Sequence, residues 1–420
     1  SRYHPSRIWN AIKASWHVDV CRLLPLGLFN WCYLRLKLPD RQALHRKLWW
    51  RTRYKLPFLF WLPLELCRCI YWQIVAAPRQ TQSAVLNYGP EIALRHGIAL
   101  EEQRRNIGYW AKSWSISPGY GYYLGLFRNE SDALNMVLSA EMQPYHRLMN
   151  ETRGASPVDY RMLFDKSLLS ACLAKAGVPV VPDIAESDGN MADLRKATAS
   201  GGPVFCKLRA GSRGESAFMA ESGLSGLFGQ TLTGKTLANE AEVIAAWQTL
   251  TAKGEVLIQP YLRNHPILQQ LSPDTEAMTL RVITRAHDAG FSVWSGFLYV
   301  QAPGAAIDRW YWMMKIDAFT GQAFDAFGHW LDDEQDAGDS PQLLMLGGQA
   351  LPFWQDIVRH SERAHAELPR LWTIAWDWII TPDGPVLLEG NAGWDLSPLQ
   401  ELGVDFVKIG CEITENAHGK

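Results

Sequence analysis

From Pro157 onward, two hydrophobic periods take turns along the chain. Apolar residues three or four apart predict helices, and strict alternation predicts strands. "PVDYRMLFDKSLLSACLAKAG" has the helical period and predicts one amphipathic helix closed by Gly177. "VPVVPDI" predicts a short strand, "NMADLRKATAS" a helix, and "GPVFCKLRAGS" a strand running into a Gly/Ser-rich loop. "SAFMAES" predicts a returning strand, "NEAEVIAAWQTLTAKG" a helix, and "EVLIQPYL" a buried strand ending at a proline. "MTLRVITRAHDAGFSVWSGFLYVQ", broken at Asp288-Ala289-Gly290, and "RWYWMMKIDAFTGQAF" predict long strands, and "PFWQDIVRHSERAHAEL" predicts a helix. Mostly antiparallel strands with interspersed helices predict an α+β body.

The stretch "WDWIITPDGPVLLEGNAGWDL" predicts a hairpin, because branched and aromatic runs flank Pro382-Asp383-Gly384. Alternation would turn Leu387, Glu389 and Asn391 to one face, with Asp377 on the facing strand near them. Two carboxylates and an amide oxygen so arranged suit Mg²⁺. The same hairpin with its acids simply in solvent is the competing reading.

Before Pro157 the pattern weakens into several short predicted helices, with no internal repeat. The longest apolar stretch, about Leu56 to Ala77, contains Glu65 and Arg68 and is interrupted by Pro57 and Pro63, which argues against a transmembrane helix. Trp49, Trp50, Phe58, Phe60, Trp61 and Trp72 stand beside Arg46, Lys47, Arg51, Arg53 and Lys55. That mixture fits a packed helical subdomain with a solvated basic face, or a peripheral contact with anionic lipid. No nucleic-acid motif accompanies it, and none is expected as a partner.

Charge sharpens the contrast. Of 420 residues, 41 are Lys or Arg and 43 are Asp or Glu, for a net charge of −2. Between Ser1 and Arg79, however, fourteen Lys and Arg face three acids, so a basic head precedes an acidic body. The length predicts two or three units, and 47% hydrophobic residues predict a sizeable core. Seven cysteines without a C-x-x-C pair argue against a disulfide framework and for a reducing cytosol. The sequons at Asn129 and Asn150 carry little weight there. No secretory signal is visible, and the start at Ser1 is expected to be trimmed or replaced.

Lys207 precedes the loop "RAGSRGES", an arrangement in which an ammonium group and free backbone N–H groups can meet phosphate oxygens. It is not a P-loop, since G-x-x-x-x-G-K-S/T is absent and the lysine comes before the glycines. Alone it reads more readily as a surface charge. Together with an oxygen-rich hairpin far downstream it points to phosphate chemistry, with cations on one side and metal on the other.

These segments, in this order, resemble the ATP-grasp superfamily over roughly Ser156 to Leu402, and more narrowly its sugar-transfer-associated branch. "FDKSLLSACLAKAGVPVVPD" resembles the opening helix and strand, "VFCKLRAGSRGES" the lysine strand and lid, and "VLIQPYL" the hinge strand. "TLRVITR" and "WDWIITPDGPVLLEGNAG" resemble the catalytic strands and metal hairpin. The resemblance implies an ATP-grasp fold of two α+β lobes clasping ATP, preceded by a mainly helical amino-terminal region. The implied divisions are 1–155 for the helical region, 156–262 for the first lobes and 263–420 for the catalytic lobe.

It further implies that Lys166 and Lys207 hold ATP phosphates under a lid containing Gly211, Ser212 and Gly214. Gln259 and the backbone of Pro260, Tyr261 and Leu262 would meet the adenine, while Asp377, Glu389 and Asn391 would bind one or two Mg²⁺. Many members carry an arginine two residues before the metal aspartate. Here that position is Ala375, so Arg281 is the first candidate for the missing cation and Lys315 the second. The hinge glutamate common in the family is Gln259 here. The implied activity is an ATP-dependent carboxylate–amine ligase acting through an acyl phosphate, on a small-molecule or sugar-linked carboxylate and amine. A phosphotransferase and a membrane-peripheral adaptor with a degenerate pocket are the alternatives. A cytoplasmic location, with membrane contact through the head left open, completes the expectation.

Overall fold

The structure, a computed structural model, describes residues 38–53, 58–128, 133–199, 202–209, 216–224, 226–231, 235–271, 277–301, 311–328, 346 and 348–416. They divide into two compact units. One holds the described residues up to Gly154 and from Gly393 onward; the other runs from Ala155 to Ala392.

Every regular element described in the first unit is helical. Pro39–Arg53 comes first, followed by Phe58–Tyr71, which continues through a π turn at Trp72–Ala76 into Ala77–His96. Leu100–Trp114, Pro118–Tyr123 and Ser139–Thr152 complete the amino-terminal set. Trp72 is 1% exposed and its indole N–H donates to the Ala111 carbonyl at 2.8 Å, so it belongs to the core and not to a lipid-facing belt. The side chains of Trp49, Trp50, Phe58, Phe60 and Trp61, and residue Lys55, lie outside the described residues.

A buried ion cluster fastens two of these helices. Arg41 grips both oxygens of Glu141, and His45 Nδ1 lies 2.7 Å from Glu141 Oε1. Burial alone would raise the Glu141 pKa, but Arg41 and His45 outweigh it and hold the carboxyl at about 2. The carboxyl-terminal helices Ser397–Glu401 and Phe406–Asn416 join this unit, although the sequence division had set 393–420 with the catalytic lobe. The reason is side-chain satisfaction: the Tyr145 hydroxyl donates to the Phe406 carbonyl at 2.8 Å, and Gln400 exchanges two hydrogen bonds with the Val137 backbone. Asp395 is spent on a turn, accepting from the Ser397 N–H and hydroxyl, and Trp394 is 3% exposed.

The second unit is the α+β body. Its strands are β1 (Ala185–Ser187), β2 (Val204–Leu208), β3 (Phe218–Gly223), β4 (Gly226–Thr231), β5 (Thr236–Leu237), β6 (Val256–Pro260), β7 (Leu280–His287), β8 (Gly290–Gln301), β9 (Tyr311–Ile316), β10 (Ala323–Gly328), β11 (Thr373–Thr381) and β12 (Gly384–Asn391). They form two six-stranded antiparallel sheets, ordered β1-β6-β2-β3-β4-β5 and β10-β9-β8-β7-β11-β12. In the first, Val204, Cys206, Val256 and Ile258 pack with Leu194 and Trp247 of the helices Met191–Ala199 and Glu240–Thr251. In the second, Val282, Leu298, Met314, Trp376 and Trp378 pack with Trp354 and Ile357 of the helix Trp354–Ala366. Alternation therefore leaves the opposite face of each sheet for other work.

Two elements differ from the sequence reading. The segment from Pro157 to Gly177 is two helices, Pro157–Phe164 and Lys166–Lys175, because the Asp165 side chain accepts the Leu168 N–H at 3.1 Å and caps a fresh start. "VPVVPDI" makes only one isolated parallel bridge, Val180 to Leu387, and the pairing strand begins at Ala185. Pro179 and Pro182 each lack the N–H that a ladder needs.

The remaining expectations are local. None of the described helices is long and apolar enough to cross a membrane. The described cysteines, Cys67, Cys69, Cys172, Cys206 and Cys411, are free thiols. Of the two sequons, Asn150 is 1% exposed within a helix and Asn129 lies outside the described residues.

Candidate active site

The hairpin β11–β12 forms as its sequence predicts, with Thr381 opposite Gly384 across the two-residue turn. Its register slips between Asp377 and Trp378: Asp377 faces Glu389, yet Trp378 faces Leu387. Leu388 is the extra residue of a β-bulge, and the bulge reverses the expected side of Leu387. Leu387 goes with Trp378 into the core, while Glu389 and Asn391 share the Asp377 face. Gly390 between them faces Trp376, and a Cβ there would lie 2.5 Å from the indole ring, so only glycine lets the two ligand-type residues sit so close to that core.

A continuous row crosses the sheet on this face. Glu389 pairs with Asp377, Asp377 with Arg281, Arg281 with Phe297, and Phe297 with Lys315. Arg281 forks onto Asp377, Nε to Oδ1 and a terminal nitrogen to Oδ2, both at 2.8 Å, and stacks 5.5 Å from the Tyr299 ring centre. Burial disfavours the guanidinium charge, but Asp377 overrides that and holds Arg281 firmly protonated. Lys315 shares the face but stands two strands from Arg281, so their backbones are about 10 Å apart. Of the two candidate cations, the geometry joins Arg281 to the acidic hairpin directly and Lys315 only along the row.

The first sheet contributes its lysine to the same place. Phe205, Lys207, Leu257 and Gln259 occupy the face of β2 and β6 opposite the core. Burial lowers the Lys207 pKa first, and the neighbouring Lys166 charge lowers it further; Glu389 and Asp183 pull the other way, leaving it at about 8. Lys166 Nζ lies 3.9 Å from Glu389 Oε2. Two ammonium groups from distant segments therefore share the field of the hairpin carboxylate. Lys166 opens its helix, where the dipole disfavours a cation, and Glu389 offsets that cost.

Other residues hold this frame. Arg209, at the end of β2, reaches Asp165 at 3.5 Å, Glu186 at 3.1 Å and Glu255 at 3.2 Å, tying the lysine strand to the helix cap below Lys166. Ser216, at the far end of the loop, has φ of 63° and accepts from Lys253 Nζ at 2.7 Å. Gly211, Ser212 and Gly214 lie outside the described residues. The Gln259 amide donates to Asp183 Oδ1 at 2.7 Å, and Tyr261 N–H donates to the Pro203 carbonyl at 3.0 Å. Pro260 faces Val204 in the ladder, and Leu262 follows the strand end. Strand β6 thus stands beside the lysine strand β2, with Gln259 turned to the lysine face.

Sequence reasoning missed Asp183, Arg209 and Tyr299. Asp183 lay inside the predicted "VPVVPDI" strand, and the proline before it was the available signal for an irregular, side-chain-rich connection. Tyr299 follows Phe297 by two on β8, so alternation could have set it on the face of Arg281.

The residues fit a divalent cation in type. Among the described residues no group of three or more His, Cys, Asp and Glu side chains converges as a metal centre. Asp377 and Glu389 nevertheless supply two facing carboxylates, and the Asn391 amide nitrogen lies 3.3 and 3.4 Å from them. Mg²⁺ characteristically takes one or two carboxylates and fills its octahedron with water and phosphate oxygens. Half a turn of the Asn391 amide would present its oxygen to the same space.

The sequence profile described as sugar-transfer associated ATP-grasp matches residues 145–403. No curated protein matches the chain. Among solved structures, the biotin carboxylase of Campylobacter jejuni is 13% identical with a TM-score of 0.39, over 61% of this chain and 47% of that one. The biotin carboxylase domain of the Hydrogenobacter thermophilus 2-oxoglutarate carboxylase is 17% identical with a TM-score of 0.37, over 62% and 46%. The D-alanine–D-alanine ligase of Bacillus anthracis, complexed with ATP, is 14% identical with a TM-score of 0.35, over 61% and 66%. This chain spans less than two thirds of the length of each.

Proposed function

We propose that this chain, which belongs to the sugar-transfer associated ATP-grasp family, is an ATP-dependent ligase that activates a carboxylate as an acyl phosphate and joins it to an amine. The observation that carries the reading is the meeting of Lys166, Lys207 and Glu389, residues far apart in sequence: Lys166 lies 3.9 Å from Glu389, and both charges act on Lys207. Lys166 and Lys207 bind oxygens of the triphosphate, and burial strengthens those contacts. Asp377, Glu389 and Asn391 would hold Mg²⁺, which supplies neutralising charge at the phosphates. Arg281 takes the part of the cation missing at Ala375, because it stands directly across from Asp377. The acceptors are a small-molecule or sugar-linked carboxylate and amine.

Carboxylate activation leaves a trappable product. With MgATP, hydroxylamine and a panel of uronic and amino acids, the protein is expected to release ADP and form a hydroxamate with one carboxylate class. ADP release into a phosphorylated alcohol without hydroxamate would make it a phosphotransferase instead. Absence of any ATP consumption across the panel, together with no measurable ATP binding, would leave the adaptor reading in its place.

A further inference from the structure

The continuous helix through Phe58–Tyr71 and Trp72–Ala76 has two unlike sides. Trp72 and Ala76 are buried, packing with Ala77 and Ala111. On the other side Leu66 is 45% exposed, Ile70 51%, Tyr71 48% and Ile74 71%, with exposed Cys67 among them. Leu66, Ile70 and Ile74 recur every four residues, a ridge that drifts by about 40° per step on an ordinary α-helix. The wider π turn reduces that drift, so the stripe stays on one side. A protein that has already buried a tryptophan on one side of this helix leaves branched aliphatics in water on the other, which marks a contact surface.

Charge identifies the contact. The described residues between 38 and 79 carry seven Arg and Lys against Asp40 and Glu65, and Arg41 is already spent on Glu141. Arg46 and Arg79 are exposed, and Arg68 is half-buried on the helix itself. A second copy of the chain would bring the same positive field against itself. An anionic lipid surface complements it, taking the aliphatic stripe to the acyl boundary and drawing the net positive segment toward its headgroups. We infer that the Leu66–Ile70–Ile74 face is a peripheral docking surface for anionic membrane, on which this helix lies without crossing.

The full chain, sedimented with phosphatidylglycerol vesicles at low salt, is expected to bind them and to ignore phosphatidylcholine vesicles. Ile70→Glu/Ile74→Glu should lower the bound fraction about tenfold or more, with an unchanged thermal transition and unchanged ATP affinity. Ile70→Ser should give a smaller loss in the same direction. Salt at 1 M, where the screening length is about 3 Å, should release much of the wild-type protein. Equal binding by wild type and Ile70→Glu/Ile74→Glu overturns the proposal, as does no binding to phosphatidylglycerol. A concentration-dependent dimer that the double substitution dissolves would overturn it in favour of a second copy.

Discussion

Glu389→Gln is expected to lower ATP turnover by about 10³-fold or more, the scale of losing a charged group at a phosphoryl-transfer centre, while the fold survives. The side chain is 36% exposed, so its ion pair with Lys166 contributes little to stability. Its importance lies in what it faces. It opposes Asp377 across the hairpin, stands 3.9 Å from Lys166, and raises the Lys207 pKa against burial. Without its charge Lys207 would lose protons at a lower pH, so both the metal side and the cation side of the phosphate site weaken together. Phosphate release measured beside a thermal unfolding scan separates the two effects. Near-normal turnover with intact folding would remove Glu389 from the chemistry.

Arg281→Met should act on stability as well as on activity. Asp377 is 7% exposed and would lose both guanidinium donors at once. An uncompensated carboxylate in that position costs about 3 kcal/mol, readable as a lower urea midpoint at an unchanged slope. Adding Asp377→Asn removes the stranded charge, so the double variant should regain much of the stability and none of the turnover. If Arg281→Met were as stable as the wild type, Asp377 would have another counter-charge and the fork would be incidental.

How much of this was legible follows from the kind of signal each residue leaves. The hairpin was plain, since "TPDG" between two branched runs has strong turn chemistry, and alternation set Lys207 and Phe205 on one side of their strand. The bulge at Leu388 was hidden, because "VLLEGN" offers no break in its apolar run and register depends on the partner strand. The cap at Asp165 was hidden for a related reason: helical spacing continues through "LFDKSLL", and only the side-chain hydrogen bond divides it. In the head, composition announced a basic aromatic region but could not say which side of the helix Trp72 would take. Arg281 was legible through a gap, the missing arginine at Ala375, although its direct pairing with Asp377 needed the strand order β7-β11-β12.

The convergence of Lys207 with the acidic hairpin is the claim on which the proposed chemistry depends, and proton exchange on nucleotide binding tests it. In the free protein Lys207 titrates at about 8. Phosphate contact favours its charged form, so MgATP binding near pH 8 should draw in part of a proton, and affinity should fall by up to about tenfold per unit as pH rises above 8. Calorimetry in buffers of different ionisation enthalpy reads that uptake directly, and Lys207→Met should abolish it while weakening the affinity. The same proton uptake and the same affinity in Lys207→Met would contradict the convergence.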